Sequence, residues 1–301
     1  IMAGGIGSRF WPMSTEEKPK QFIDVLGTGR SLIQMTYDRF KGICPDENTW
    51  VVTSVNYFDQ VHEQLPEIPV ENILLEPCRR NTAPCIAYVS WKIKKCNPRA
   101  NIVITPSDHV VKDVKLFSQA VSECMEFTAE TDSIVTLGIR PTAPETGYGY
   151  IEADLSYASS CSQNIFRVDS FKEKPSLDLA KQYVEKNNYF WNAGIFIWSV
   201  QTIVNAFRVY QPGMAKLFEE MTPQFGTPEE KDKIAEVYDQ IESISVDYAI
   251  MEKAEEIFVY QASFDWSDVG TWGALKNQIE NDVHGNAVVG DVDLYETNNC
   301  I

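Results

Sequence analysis

The chain has 301 residues, of which 44% are hydrophobic and 23% are charged, so it can bury the core of one large domain with at most a small additional segment. Its formal net charge of −17 argues against nucleic acids and anionic membranes as partners, because like charges repel. No apolar run reaches the roughly 18 residues that a membrane-spanning helix needs.

The cysteines are scattered, odd in number and without a Cys-x-x-Cys pair: Cys44, Cys78, Cys85, Cys96, Cys124, Cys161 and Cys300. With only three histidines, this pattern predicts reduced thiols in a cytoplasmic protein rather than a disulfide framework or a structural zinc site. The first residues lack the hydrophobic stretch of a signal peptide. Because the sequence opens inside an apolar run at Ile1, we expect a few residues to precede it.

Short apolar segments alternate with amphipathic ones through most of the chain. Segments rich in β-branched residues predict strands at 48–54, 101–107, 133–139, 193–199 and 256–263. The 3.6-residue spacing of apolar residues predicts helices at 31–43, 81–96, 114–130 and 200–211. Asn81 or Thr82 would cap the second helix, with Pro84 in its first turn. This alternation predicts an α/β fold whose mainly parallel sheet is covered by helices on both faces.

The pattern changes in the second half of the chain. Residues 148–154 and 165–172 predict a hairpin, so the sheet should be mixed. Residues 227–241 predict an exposed, highly charged helix. In the last segment, 284–301, glycine and aspartate separate short apolar runs, which predicts the start of a further β module that is cut short. The main domain would then span residues 1–283.

The opening stretch IMAGGIGSRFWPMSTEEKPKQF combines clustered glycines with later cations. It lacks the third glycine of a dinucleotide-binding fingerprint, and no Lys-Ser or Lys-Thr follows its last glycine as in a P-loop. The physical logic of both motifs still applies. A strand ending at Met2 or Ala3 would lead into glycines whose missing Cβ atoms let backbone N–H groups approach a phosphate, at the strand end where open α/β sheets bind ligands.

Arg9 and Lys20 could then donate charge-assisted hydrogen bonds to phosphate oxygens. The remaining cations nearby are Lys18 in the same loop and the adjacent pair Arg79 and Arg80. The alternative is an ordinary glycine turn with surface cations.

These residues resemble the signature loop of the sugar-phosphate nucleotidyltransferases, and most of all that of the mannose-1-phosphate guanylyltransferase branch. The Trp-Pro and Pro-Lys-Gln-Phe forms carry the branch resemblance. Further motifs follow in the family's order over nearly the whole chain: LLEPCRRNTAP (74–84), TPSDHV (105–110), ETGYGYIE (145–152), FKEKP (171–175), WNAGIFIW (191–198), SVDYAIMEK (245–253) and DWSDVGTW (265–272). The resemblance implies a Rossmann-like, three-layer nucleotidyltransferase fold.

The resemblance also implies two binding sites. The expected nucleotide-binding residues are Ala3, Gly4, Gly5, Gly7, Ser8, Arg9, Lys20, Glu76, Asn81, Thr82 and Asp108. The expected sugar-phosphate-binding residues are Gly147, Tyr148, Glu173, Lys174, Asn192 and Asp247. Glu173 and Lys174 could instead form an exposed charge pair ended by Pro175, and Asp247 could simply cap a helix.

Asp108 and Asp268 are the expected metal ligands, because the family's metal-binding positions match them. Two carboxylates from distant segments suit Mg²⁺, with Mn²⁺ as a substitute, since such ions take one or two protein carboxylates and fill their other positions with water and phosphate oxygens. Each aspartate could alternatively act as a turn or cap residue.

The resemblance implies transfer of GMP from GTP to mannose 1-phosphate, giving GDP-mannose and pyrophosphate, with Arg9, Lys20, Asp108, Lys174 and Asp268 as the catalytic residues. A sugar 1-phosphate is already an anionic nucleophile, which fits the lack of a His or Cys nucleophile pattern. Two alternatives remain at this point: use of dTTP or UTP with glucose 1-phosphate, and a silent regulatory subunit that binds nucleotide sugars. The oligomeric state also stays open, a homodimer included.

Overall fold

The structure, a computed structural model, describes residues 1–158 and 162–301, except for the side chains of Ser8 and Ala158. Cys161 lies outside the described residues. The strands are β1 Val51–Ser54, β2 Ile73–Glu76, β3 Asn101–Ile104, β4 Val110–Val111, β5 Ile134–Ile139, β6 Gly149–Ala158, β7 Ile165–Glu173, β8 Tyr189–Ser199, β9 Ile257–Ala262 and β10 Trp266–Ser267.

Helices precede, separate and cover these strands. They are α1 Leu32–Phe40, α2 Phe58–Gln64, α3 Thr82–Cys96, α4 Val114–Glu130, α5 Leu177–Glu185, α6 Val200–Tyr210, α7 Pro212–Met221, α8 Glu230–Gln240 and α9 Trp272–Lys276. None of the helices in the described ranges is long and apolar enough to cross a membrane.

The largest sheet has the strand order β3-β8-β5-β9-β7-β6, and β1 and β2 form a separate parallel pair. The opening residues lie between these two parts. Met2 makes parallel bridges to Val52 of β1 and to Pro106, just beyond β3. Its backbone N–H donates to Thr105 (2.9 Å), while that of Ala3 donates to Val52 (2.8 Å). The predicted opening strand is thus reduced to parallel bridges at Met2, which link β1 to the residues that follow β3.

The predicted α/β fold is confirmed, and the sheet is mixed. Parallel pairing is found between β1 and β2, beside Met2, and between β5 and β9. The other pairings are antiparallel, so the sheet is less parallel than the strand–helix alternation predicts. The reason is that β6 pairs antiparallel with both β7 and β8. Strand β8 lies between β3 and β5 and runs antiparallel to each of them.

The sequence of β8 is a nearly continuous run of apolar residues, because the strand lies at the centre of the sheet and is buried on both faces. Phe196 and Trp198 pack on one face, in the cluster that includes α3, α6, α7 and α8. Ile195 and Ile197 pack on the other face, in the cluster formed with α4. A strand buried on both faces needs apolar side chains in both directions.

The charged helix predicted at 227–241 is α8, and only part of its surface is solvated. Ile234, Val237 and Tyr238 are buried. Near its start, Glu230 accepts hydrogen bonds from Lys92 of α3 (2.5 and 2.6 Å) and from Tyr88 (3.0 Å). This anchor fixes α8 against α3 and brings its far end toward the carboxyl end of β2.

The predicted element bounds agree closely for α3, α4 and α6, and Asn81 caps α3. The sequence pattern did not predict the helices α2, α5, α7 and α9, the strands β2, β4 and β10, or the first residues of β8. Within 284–301 the structure has turns, and Ala287 makes an antiparallel bridge to Asn281, which precedes this segment. The further β module and the domain boundary at 283 stay predictions.

The Gly138→Ala variant should test the packing of the sheet. A Cβ at this position would collide with Val259 Cγ2 and lie 2.9 Å from Phe190 Cβ, inside the buried centre of β5. We expect a loss of about 1–3 kcal/mol in the free energy of unfolding, as for other overpacked cores. The urea midpoint would measure it. The matched control is Gly213→Ala in α7, where no described atom lies within 4 Å and alanine favours the helix. Equal midpoints for the two variants would contradict the prediction.

Candidate active site

The opening loop is held in shape by a buried glutamine that the sequence analysis left without a role. The Gln21 side-chain amide donates to the backbone oxygens of Ala3 (3.1 Å) and Gly5 (2.8 Å). The Ser14 hydroxyl donates to the carbonyl of Gly7. The glycine loop therefore has a defined path after the strand ends, although the regular structure around it consists of short 3₁₀ turns.

The three glycines of the loop have different surroundings. Gly7 has a φ of +63°, and a Cβ there would lie 2.5 Å from the Cβ of Lys20. A Cβ on Gly4 would lie 3.2 Å from a carboxylate oxygen of Glu76. No described atom lies within 4 Å of a Cβ on Gly5. Gly4 and Gly7 thus permit close internal packing, and Gly5 has the open side on which a phosphate could approach. Phosphate binding by these residues stays a prediction, as does the part of Ser8, whose side chain is not described.

Lys20 joins the loop to both predicted metal ligands. Lys20 is 3% exposed, and its Nζ lies 2.9 Å from Asp108 Oδ2. The same nitrogen donates to the backbone oxygens of Asp268 (2.9 Å) and Val269 (3.0 Å). Each of the three hydrogens of the ammonium group thus has an acceptor. The ring of Phe10 lies beneath it, with its centroid 5.4 Å from Nζ.

The smallest sheet of the protein brings Asp108 and Asp268 together. Asp108 precedes β4 and Asp268 follows β10, and these strands pair antiparallel with Ser267 opposite Val110. Burial favours a raised pKa for Asp108, but Lys20, the neighbouring His109 and hydrogen bonds outweigh it and hold that pKa below its usual value. Asp108 is therefore a charged carboxylate over the neutral pH range.

Asp268 is oriented by two donors. Its Oδ1 accepts hydrogen bonds from the Tyr148 hydroxyl (2.9 Å) and from the backbone N–H of Gly270 (2.9 Å). Arg9 lies nearby. The ideal Cβ position of Gly270 is 2.5 Å from Asp268 Oδ2 and 3.1 Å from Arg9 Nη1, so both side chains border the same point. Arg9 is exposed, so its guanidinium is available to a ligand.

The donor atoms here fit a hard cation. The residues are two carboxylates, and among residues 1–158 and 162–301 no group of three or more His, Cys, Asp or Glu side chains is placed to hold a metal. Two carboxylates with open remaining positions suit Mg²⁺ or Mn²⁺, which retain water and phosphate ligands. Asp108 and Asp268 could hold such an ion, with Lys20 balancing their charge.

Next to these carboxylates lies a cavity of about 220 Å³, bordered by Pro106 just beyond the carboxyl end of β3 and by Glu173 at the carboxyl end of β7. Its lining includes five of the six predicted sugar-phosphate residues, Gly147, Tyr148, Glu173, Asn192 and Asp247. Thr82 of the predicted nucleotide site, the predicted metal ligand Asp268, and the unpredicted His109 and Trp266 also border it. A larger cavity, about 460 Å³, borders Ile1, Trp50 and Asn101 and contains none of the predicted functional side chains. The smaller cavity is the better candidate, because ligands bind open α/β sheets at the carboxyl ends of strands.

A hydrogen-bonded chain fixes the polar groups of the cavity. Asn192 Oδ1 accepts from the Thr136 hydroxyl (2.9 Å), which leaves the Asn192 amide to donate to Asp247 Oδ1 (3.1 Å). Burial, reinforced by the nearby charge of Glu173, raises the pKa of Asp247 to about 6. Lys174 is exposed and its Nζ lies 2.9 Å from Glu173 Oε1. Both the predicted binding role of these two residues and the alternative of a charge pair are compatible with that contact.

The predicted base-binding residues lie at the end of β2 and the start of α3. Glu76 is buried at the end of β2, and Tyr238 of α8 donates a hydrogen bond to its Oε1 (2.8 Å). Burial raises the pKa of Glu76 to about 7. Asn81 accepts from the backbone N–H of Thr82, and the Thr82 hydroxyl accepts from the backbone N–H of Val246 (2.9 Å each). These residues therefore shape the floor of the site, and which of them would touch a base stays a prediction.

Arg39 of α1 is a second residue that the sequence analysis missed. It is 2% exposed, and its Nη2 donates to the backbone oxygen of His109 (2.7 Å). Burial lowers the pKa of Arg39 to about 10, and its guanidinium lies 5.5 Å from the Phe117 ring centroid. No carboxylate within the described residues pairs with it. Arg39 lies on the buried face of α1, and the sequence pattern of that helix does not predict this contact.

The chain is similar to known proteins over nearly its whole length. Residues 1–284 match the model of the family described as nucleotidyl transferase. A mannose-1-phosphate guanylyltransferase of Escherichia coli is 35% identical over 99% of this chain and 65% of its own length. The xanthan biosynthesis protein XanB of Xanthomonas campestris is 37% identical over 97% of this chain and 61% of its own length. The chain thus spans just under two thirds of the length of these relatives.

Solved structures show the same fold. A crystal structure described as mannose-1-phosphate geranyltransferase from Thermus thermophilus has a TM-score of 0.85 and 33% identity, over 96% of this chain and 81% of that one. A UDP-glucose pyrophosphorylase complexed with UDP-glucose has a TM-score of 0.53 and 16% identity, over 91% of this chain and 93% of that one. The second likeness bears on the fold alone.

The Asp247→Asn variant should change how stability depends on pH. The raised pKa means that the folded protein binds this proton more tightly than the unfolded chain does, so Asp247 makes the wild type lose stability as pH rises from about 4 to above 6. Asparagine can still accept from Asn192 and carries no charge. We expect the variant to match the wild type near pH 4 and to exceed it by about 2 kcal/mol at pH 7. Urea unfolding at both pH values measures this, and a variant that gains nothing between them would contradict it.

Proposed function

Because this chain belongs to the nucleotidyl transferase family, we propose that it transfers GMP from GTP to mannose 1-phosphate, releasing pyrophosphate and forming GDP-mannose. The names of its relatives support this choice of substrates. The proposal includes the cytoplasmic location predicted from the cysteines. A homodimer is compatible with it.

One observation supports the proposal above the others: the opening loop is joined through Lys20 to Asp268, and Asp268 also lines the cavity. Lys20 connects the loop to Asp108 and to the backbone of Asp268. The side chain of Asp268 in turn bonds to Tyr148 in the cavity wall. A triphosphate on the loop and a sugar phosphate in the cavity would therefore have their reacting groups side by side.

The reaction in this site is a displacement at phosphorus. A phosphate oxygen of mannose 1-phosphate attacks the α-phosphorus of GTP, the new P–O bond forms, and the bond to pyrophosphate breaks. The attacking oxygen is already ionised at neutral pH, so the site needs no general base. Its task is alignment and screening of charge, which is how enzymes catalyse most phosphoryl transfers.

The cationic side chains divide this task by position. Arg9, exposed beside Asp268, would contact the triphosphate. Lys20, whose three ammonium hydrogens already have acceptors, would keep the carboxylate segments together and attract the phosphates through its charge alone. Lys174 would leave Glu173 to contact the attacking phosphate. Asp108 and Asp268 would hold Mg²⁺ or Mn²⁺, which supplies further neutralisation of the phosphate charges when bound.

Substrate choice is tested by pyrophosphate release from the isolated protein. With GTP present, we expect mannose 1-phosphate to support turnover at least about tenfold better than glucose 1-phosphate, because a pocket of fixed polar groups rejects sugars that leave those groups unpaired. A panel of GTP, dTTP and UTP at equal concentrations tests the base. Preference for dTTP or UTP with glucose 1-phosphate would replace the proposed substrates. No release with any pair would favour a binding subunit.

The Asp268→Asn variant tests the assigned carboxylate. It keeps an acceptor for Tyr148 and removes the charge, so we expect kcat to fall about 100-fold or more with Mg²⁺. The matched control is Asp265→Asn, three residues earlier, where the exposed side chain is replaced and the backbone bond from Lys112 is kept. Near-normal turnover of Asp268→Asn, or equal losses in both variants, would remove Asp268 from the mechanism.

A further inference from the structure

Trp266 touches the supports of both carboxylates. It is the first residue of β10, and its indole Nε1 donates to His109 Nδ1 (3.2 Å) with the two rings edge to face at 86°. On its other side, the ring of Tyr148 lies 5.3 Å away between centroids. His109 follows Asp108 directly, and Tyr148 donates to Asp268. A single aromatic side chain therefore lies between the two groups that flank the carboxylates.

The bond from Trp266 determines where His109 carries its hydrogen. An indole N–H can only donate, so His109 Nδ1 must be the acceptor and cannot carry a proton itself. The ring hydrogen is then on Nε2, and this nitrogen lies 3.8 Å from Asp108 Oδ1. The N–H thus faces the carboxylate, although it is too far away for a direct hydrogen bond in this structure. The opposite tautomer would turn a lone pair toward Asp108.

The Tyr148 ring is held from two sides. Its centroid is 5.1 Å from that of Trp191 and 5.3 Å from that of Trp266, and both pairs are edge to face. This packing leaves the hydroxyl pointing to Asp268 Oδ1. Loss of the Trp266 ring would free one side of Tyr148, whereas loss of the indole N–H alone would leave the ring packing intact and affect His109.

We propose that Trp266 is a positioning residue for the two carboxylates: its indole N–H holds His109 in the tautomer that presents Nε2–H to Asp108, and its ring holds Tyr148 on Asp268. The effect on cation binding rests on the proposed function, but the tautomer does not. Groups behind metal ligands of this kind commonly tune affinity by about tenfold or more.

The decisive experiment is ¹⁵N-detected NMR of the histidines at neutral pH. The chain has three, His62, His109 and His284, so a His109→Gln variant assigns the signal. We expect wild-type His109 to show one neutral form with its hydrogen on Nε2. In Trp266→Phe, which keeps a ring and lacks the N–H, both neutral tautomers should appear. Wild-type His109 with its hydrogen on Nδ1, or an unchanged pattern in Trp266→Phe, would overturn the proposal.

A second measurement follows free Mn²⁺ by its electron paramagnetic resonance signal, without turnover. Trp266→Phe should weaken Mn²⁺ binding about 3- to 10-fold. The control is Trp198→Phe, whose buried indole nitrogen has no hydrogen-bond partner among the described residues, so it tests loss of packing alone. It should leave the His109 signal and Mn²⁺ binding unchanged. Equal weakening in both variants would overturn the positioning role.

The two measurements also separate this inference from the proposed function. A protein without transferase activity that still shows the expected tautomer and its loss in Trp266→Phe would contradict the function only. If Trp266→Phe does not fold, the wild-type spectrum alone still tests the inference, because Trp266 can donate only to an unprotonated Nδ1.

Discussion

The buried ammonium group of Lys20 is the contact on which the rest of the site depends. It joins three segments that are distant in sequence: the opening loop, the turn before β4 and the turn after β10. A buried charge is costly unless it is paired and hydrogen-bonded, and Lys20 meets this condition with one carboxylate and two carbonyls. Removal of either charged partner would leave the other uncompensated in the interior, so these segments form one unit rather than three neighbouring turns.

This unit also explains how a chain with net charge −17 can be expected to bind anions. The cations at the site are few, and two of them are engaged with carboxylates, Lys20 with Asp108 and Lys174 with Glu173. Such pairs keep positive charge in place at the site, where under the proposed function it would offset the negative charge of the phosphates. Local geometry, and not overall charge, then determines which anions can bind.

The sequence was most informative where the signal is local. The cap at Asn81 and the helices of 15 residues or more are encoded within short stretches of sequence, and the structure has them where expected. The β4–β10 pair was not predictable, since strands of two residues carry no periodic pattern. The same is true of contacts between residues 70 and 157 positions apart, those of Arg39 and Trp266 with His109. The reversed direction of β8 likewise depends on a long-range pairing with β6.

The contact between α8 and Glu76 has a consequence for how this protein can diverge in evolution. The solvent-facing charges of α8 touch little and can be exchanged with small effect on stability. Tyr238 is different, since it supplies the hydrogen-bond donor to a carboxylate buried beside the opening loop. A change at Tyr238 alone would leave that oxygen unpaired, at a cost of about 1–3 kcal/mol, so the two positions should drift together across related sequences while the solvent-facing positions of the helix vary freely.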